Sequence, residues 1–321
     1  MSDTTQAIAQ ATAATTSPAA SRSGRIRVFL CFFCIYIIWG STYLAIRYAV
    51  ETIPPLYLAG VRHLSAGTIL LAWALAKGLR PTREQIRASV VIGFFFFLVG
   101  HGSLHWAEQF VPSGLAALLI AVEPIVVFLM SSAAARTWRI NGMLLAGITL
   151  GLIGVGILVR GTTLESTHGL TLGSIVVLIG AISWSAGIIY SRRSHLSGSP
   201  LLLSALSLLS GAVMLLTVGT IAGEWKNLNV SQVTLKSWLS LEYLIIFGSL
   251  IAFSAYGYVL RNVSPALATS YAYVNPVVAV CLGVMLAGES ITVLTIVAMV
   301  VILIGVALIS LGPMWIASRN R

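Results

Sequence analysis

Val111 to Val127 reads V-P-S-G-L-A-A-L-L-I-A-V-E-P-I-V-V, and Val263 to Ala279 reads V-S-P-A-L-A-T-S-Y-A-Y-V-N-P-V-V-A. Aligned without gaps, six of the seventeen positions are identical, Pro124 and Pro276 among them. At nearly the same offset, L-I-G-V from Leu152 returns from Leu303. A weaker pattern, I-x-W, is shared by Trp39 and Trp184, with Arg47 matching Arg192. Three landmarks in one order describe a duplicated chain.

The surroundings of these stretches say what was duplicated. The chain has 321 residues, 58% hydrophobic and 9% charged, whereas soluble domains are about a quarter charged. Its apolar residues fall in blocks close to the roughly 20 residues that cross a hydrocarbon core. Between breakers the blocks run 28–48, 56–76, 89–106, 113–133 and 142–159, then 170–190, 201–222, 239–260, 266–286 and 292–312. The sequence thus predicts an all-α integral membrane protein of ten transmembrane helices. Residues 28–159 form one five-helix repeat and residues 170–312 the other. Because five is odd, the second copy enters the membrane in the opposite sense, the inverted-repeat construction of transporters.

Charge gives the orientation. With the N-terminus in the cytoplasm, the inner loops and ends carry Arg22, Arg25, Arg27, Lys77, Arg80, Arg83, Arg87, Arg136, Arg139, Arg192, Arg193, Arg261, Arg319 and Arg321. The outer side holds only Arg160, Lys226 and Lys236. Fourteen against three follows the positive-inside rule with both termini cytoplasmic in a bacterial inner membrane. The net charge of +10 is then an orientation and lipid-facing signal rather than a nucleic-acid footprint. Residues 1–27, rich in Ala, Ser and Thr, read as a disordered cytoplasmic tail, and residues 313–321 as a second tail. No cleavable signal peptide is expected, because the first apolar block is too long for one. Cys31, Cys34 and Cys281 lie within apolar blocks and read as packing residues.

Three stretches carry a family likeness: Y-I-I-W-G-S-T-Y at Tyr36 to Tyr43, W-A-E-Q-F-V-P-S-G at Trp106 to Gly114, and R-N-V-S-P-A-L-A-T-S-Y-A-Y-V-N-P-V at Arg261 to Val277. Together they resemble EamA-type exporters of the drug/metabolite transporter superfamily, and the likeness covers all ten spans. What it implies is a ten-helix basket with a central cavity lined mainly by spans one, three, four, six, eight and nine. It also implies export of amino acids, other metabolites or drugs. Glu123 departs from the small or apolar residue that such proteins often carry before this proline.

Ionisable groups inside a bilayer are costly unless they face a cavity or a partner. Glu123 lies near mid-span, and Pro124 frees the carbonyl of Ile120 and kinks the helix beside it. It reads either as a proton-coupling carboxylate or substrate counter-ion, or as a structural Glu neutralised by His101, His105 or Arg62. Asn275, its repeat mate, suits a polar substrate group or an interhelical hydrogen bond. His101, His105 and Glu108 stand at i, i+4 and i+7, which places them on one inward face. They suit a proton relay, a substrate contact or helix packing. No metal is expected, since Gly102 stands where the zinc-hydrolase motif wants Glu.

Trp39, Tyr43 and Trp184 are candidate cavity walls, able to stack on apolar or cationic solutes. On span nine, Tyr271 and Asn275 form the i, i+4 pair facing a site. Arg62 and His63, near the outer end of span two, could pair with Glu51 or attract anions, with stability the stronger reading. Gly147, Gly151 and Gly154 permit close packing, within the chain or in a homodimer. No phosphate loop or dinucleotide fingerprint appears, so no cofactor is expected. The reading is a transporter in a lipid bilayer that exports small metabolites, amino acids or related amphiphiles, or drugs by alternating access, with proton coupling as a secondary expectation. The alternative is an intramembrane enzyme using the span-three histidines.

Overall fold

The computed structural model describes residues 22–135, 142–164, 168–193, 199–263 and 268–319. Among them the chain is helical without strands. In chain order the helical stretches are α1 (22–49), α2 (Pro55–Ala76), α3 (Arg83–Ala107), α4 (Ser113–Ala134), α5 (Gly142–Leu164), α6 (His168–Arg193), α7 (Pro200–Ile221), α8 (Leu235–Asn262), α9 (Tyr271–Ala287) and α10 (Val293–Arg319). Seven of these are long and apolar enough to cross a membrane, namely α1 to α4 and α6 to α8. Shorter apolar runs, Leu145–Gly154, Val274–Ala287 and Val293–Gly305, mark the other three.

Local sequence explains the starts and stops. Pro55 and Pro200 sit in the first turns of α2 and α7, where a missing N–H costs nothing. Thr82 and Gln85 close a capping box on α3, satisfying two end donors reciprocally. Gly288 ends α9 at φ +63°, a left-handed conformation that favours glycine. Two expected boundaries move. The first helix begins at Arg22 rather than Val28, and the last runs to Arg319, past Gly312. Arg25 and Arg27 are exposed, so the backbone can stay helical while their charges remain at the polar edge. Residues 1–21, and so most of the expected tail, lie outside the described residues.

Packing follows a rule. α1 packs on α8 and α9, while α6 packs on α3 and α4. α2 touches α8 as α7 touches α3, and α2 meets α7, α4 meets α9 and α5 meets α10. Exchanging each helix with the one five places on reproduces these contacts. Two seams are drawn tight by glycine. A Cβ on Gly305 of α10 would lie 2.7 Å from the Gly147 carbonyl oxygen and 2.7 Å from the Gly151 nitrogen of α5. One on Gly154 would lie 3.0 Å from the Ile302 nitrogen. On α2, Gly60 and Gly67 similarly receive Leu216 and Leu209 of α7. The α5 glycines are therefore taken up within the chain. Large apolar side chains such as Phe29, Phe33, Ile69, Trp73, Ile179, Val213, Met285 and Val293 point outward, an apolar exterior suited to lipid.

The repeat also shows in two arginines. Arg47 on α1 donates to the Glu108 carbonyl at the end of α3. Arg192 on α6 donates to the Leu260 and Val263 carbonyls at the end of α8, at 3.1 and 2.8 Å. Each repeat thus fastens its own third helix by the free carbonyls of the last turn, where a cation is also favoured by the helix dipole.

Candidate functional site

The helices around the centre are not regular. α4 breaks at Ala121 and Val122, between Ser113–Ile120 and Glu123–Ala135. This is the kink Pro124 predicts. In the second half the turn falls at Thr269 and Ser270, and Pro276 is carried inside α9. Three π-helical stretches also interrupt the bundle: Ile35–Trp39 in α1, Phe94–His101 in α3 and Leu244–Ile251 in α8. The last two occupy corresponding places in the two repeats. Such widened turns re-aim the residues that follow them and gather at functional sites.

The first two border one cavity through Trp39, Gly100 and His101, and the third holds two of its walls, the Gly248 carbonyl accepting from Trp39 and Ser249 from Arg62. The cavity lining includes Trp39, Tyr43, His101, Glu123, Trp184, Tyr271 and Asn275, so seven of the eight predicted site residues come together. The free volume is about 60 Å³, room for a few waters against the roughly 300–1,000 Å³ of sites that hold small molecules. The conformation is contracted around its own aromatic rings. Trp39 meets Trp184 edge-on at 5.9 Å between centroids and Tyr271 edge-on at 5.1 Å. Trp184 stacks on His101 at 5.1 Å and 16°. These are favoured quadrupole geometries.

Glu123, 1% exposed, is held by a neutral partner. The Tyr271 hydroxyl donates to its carboxylate, 2.7 and 2.8 Å from the two oxygens. Among the described residues the single ion pair within 4.0 Å joins Lys236 to Glu51 at 2.5 Å. Neutralisation of Glu123 through an ion pair with His101, His105 or Arg62 is therefore not what the structure shows. Asn275, with its amide oriented to satisfy its neighbours, donates to the carbonyls of Tyr36 and Tyr271 at 3.2 and 3.3 Å.

Of the three polar residues expected on one face of span three, only His101 lines the cavity. His105 is fully buried behind it and Glu108 falls in the turn beyond α3. His105 Nδ1 donates to the His101 carbonyl at 2.7 Å, which leaves its neutral Nε2 as an acceptor. That nitrogen faces Arg62 Nη1 at 3.4 Å. His101 Nδ1 and His63 Nε2 lie 2.9 Å apart in a hydrogen bond. Among the described residues no three His, Cys, Asp or Glu side chains gather as a metal site would need.

Pairing of Arg62 or His63 with Glu51 is not what the structure shows. Glu51 is taken by Lys236, and Arg62 is 2% exposed and lines the cavity. Its Nε donates to the Ser249 hydroxyl at 2.8 Å. The long stem of Arg carries its charge far from its Cα, so a backbone position near a helix end misjudged the depth of the head group. Its signal was legible as an ionisable residue inside a span. Ser249, in the π stretch of α8, gave none.

The EamA-like transporter family matches this sequence twice, over residues 26–160 and 171–311. The chain belongs to that family. Its relatives include the inner membrane transporter YedA of Escherichia coli K12, 43% identical over 89% of this chain and 91% of YedA. PagO of Salmonella typhimurium is 28% identical over 88% of this chain and 93% of its own. A probable amino-acid metabolite efflux pump of Escherichia coli K12 is 25% identical over 88% and 94%. A crystal structure at 20% identity aligns with a TM-score of 0.65 over 88% of this chain and 97% of that one, a likeness of fold. Family membership makes the protein a transporter.

Proposed function

We propose that the chain is a multi-pass inner-membrane exporter of small amphiphilic metabolites, amino acids or related solutes, or drugs. It works by alternating access between two inverted five-helix halves, 28–159 and 170–312, with ten spans and both termini cytoplasmic. The observation that carries this is the meeting of α4 and α9, the two proline-bearing helices of the duplication, through the Glu123–Tyr271 hydrogen bond over an aromatic cavity. A repeat-related pair of interrupted helices at the contact between halves is where transporters of this construction bind solutes. The exchange-symmetric packing, the charge bias of the loops and the names of the relatives support the same reading.

Proton coupling is assigned to Glu123, with the cavity walls formed by Trp39, Tyr43, His101, Trp184, Tyr271 and Asn275 and His105 behind them. The test is efflux of a solute panel from vesicles, with the pH gradient present and then collapsed. Glu123→Gln should abolish the gradient-driven part of the flux while leaving downhill exchange. Unchanged coupled transport in that variant rejects the coupling role. Reporter fusions at each end that report periplasmic exposure would reject the orientation.

A further inference from the structure

Glu108 stands in the turn beyond α3 with its side chain wholly buried. Neither of its carboxyl oxygens has a hydrogen-bond partner, and among the described residues no cation comes within 4.0 Å of them. Four groups face it: Arg47 and Tyr43 from α1, Arg62 from α2, and Glu289 from the loop after α9. Arg47 directs its hydrogen bond to the Glu108 backbone carbonyl and not to the carboxyl. The duplication shows that this fastening asks for no acid. Extending the gapless alignment of Val111 with Val263 three residues back sets Glu108 against Leu260, whose carbonyl serves Arg192 in the same way. Glu123 likewise falls on a neutral mate, Asn275. Both fully buried acids among the described residues thus belong to the first half, which leaves the two ends of the molecule chemically unlike.

The neighbour that matters most is Glu289. Its carboxylate accepts from the Ser113 N–H and hydroxyl at 2.8 Å each and from the Gly114 N–H at 3.2 Å, a first-turn setting suited to an anion. Two neighbouring carboxyls cannot both stay ionised out of water, and the one without donors is the one that takes the proton. Burial first, and then the Glu289 charge, push the Glu108 carboxyl well above the ordinary range, against the pull of Arg47 and Arg62. A route for that proton is at hand. A second cavity, of about 420 Å³, is walled by Arg47, Tyr48, Pro112 and Glu289, and its rim pair, Lys236 and Glu51, is half-exposed. Arg47 is the layer between that cavity and Glu108.

We propose that Glu108 is a proton site separate from Glu123, loaded from the outer side, and that the outer end closes only over its protonated form. With that end open, water reaches the carboxyl and lets it ionise. With it closed, as in this structure, an ionised Glu108 would be sealed beside Glu289 without a donor. Acid on the outer side therefore drives closure, and alkali favours opening. The proposal rests on the alternating-access reading and the orientation above, and adds a coupling residue at the outer gate.

The test needs no solute. Ala49, fully buried where α1 ends, is replaced by Cys in a full-length chain whose Cys31, Cys34 and Cys281 are replaced by Ala. Its alkylation by a membrane-impermeant maleimide, added outside right-side-out membrane vesicles, is followed against outer pH. Cys placed at the exposed Ser231 corrects for the reagent's own pH dependence. With Glu108 intact, relative alkylation should fall as the outer pH is lowered, by up to about tenfold per pH unit, the slope of one proton bound on closing. Glu108→Gln should be alkylated slowly at every pH, while Glu108→Asp keeps the dependence and Glu123→Gln leaves it in place. Glu289→Gln removes the neighbouring charge and should move the midpoint to lower pH, which decides the matter should Glu108→Gln not fold. Alkylation that ignores outer pH, or that follows it equally well in Glu108→Gln, overturns the proposal, as does an unmoved midpoint in Glu289→Gln. Proteoliposomes that move no solute while this pH response persists would instead remove the transporter reading and leave the proton site standing.

Discussion

A buried carboxylate satisfied by a single hydroxyl makes Tyr271 a sensitive position. Tyr271→Phe keeps the ring against Trp39 and removes the donor to Glu123. It should cost about 1–3 kcal/mol through the unpaired acid, read as a lower unfolding midpoint in detergent. Outside the membrane spans, Glu224 accepts from the backbone N–H groups of Leu56 and Tyr57 at the start of α2. Burial pushes its carboxyl above the ordinary range, against the pull of those two N–H groups. A carboxyl raised in the folded state gives stability that is full below its unfolded value and lost as pH rises through the folded one. The unfolding midpoint should therefore fall as pH is raised across the mildly acidic range, and Glu224→Gln should flatten that slope. Glu123, Trp39 and Trp184 were legible in the sequence because mid-span placement and the repeat marked them. The depth of Arg62 was not, since side-chain reach is not written in residue spacing.

At the scale of helices, the block pattern and the proline pair located the elements and the kink, and Arg47 matching Arg192 proved to be one fastening used twice. What spacing could not supply was the phase within α3 and α8. A π turn changes which residues share a face, and nothing in F-F-F-F-L-V-G-H announces one. The glycine stripe of α5 was visible, but its occupant, α10, is a fact of three-dimensional packing. Gly305→Leu places bulk where a Cβ alone would crowd the Gly147 carbonyl. It should destabilise by about 1–3 kcal/mol as an overpacked contact, measured as loss of folded protein on heating in detergent. A neutral result would mean that α5 and α10 can part without cost.

For the molecule as a whole, the ends of α1 and α8 are laced together by Thr52 Oγ1 donating to Ser237 Oγ at 2.8 Å, Ser237 Oγ donating to the Tyr48 carbonyl at 2.9 Å, and the Lys236–Glu51 pair. These contacts join the first repeat to the second where α1 ends and α8 begins, and the alternating cycle proposed above requires them to open. Replacing Thr52 and Ser237 together by Cys should allow an oxidative cross-link that stops solute flux, with flux restored by reductant. Full flux in the cross-linked protein would show that this end never parts.

Any operation that swaps the halves carries the α2–α7, α4–α9 and α5–α10 contacts onto themselves, so all three pairs straddle its axis. All three are drawn close through glycine, α4 and α9 by Gly114 set against Val280 and Gly283 against Ser113, and the α4–α9 pair also borders the cavity. The same small residue thus sets the spacing at every contact that the exchange of halves maps onto itself, and bulk added at any one of them would shift both halves together.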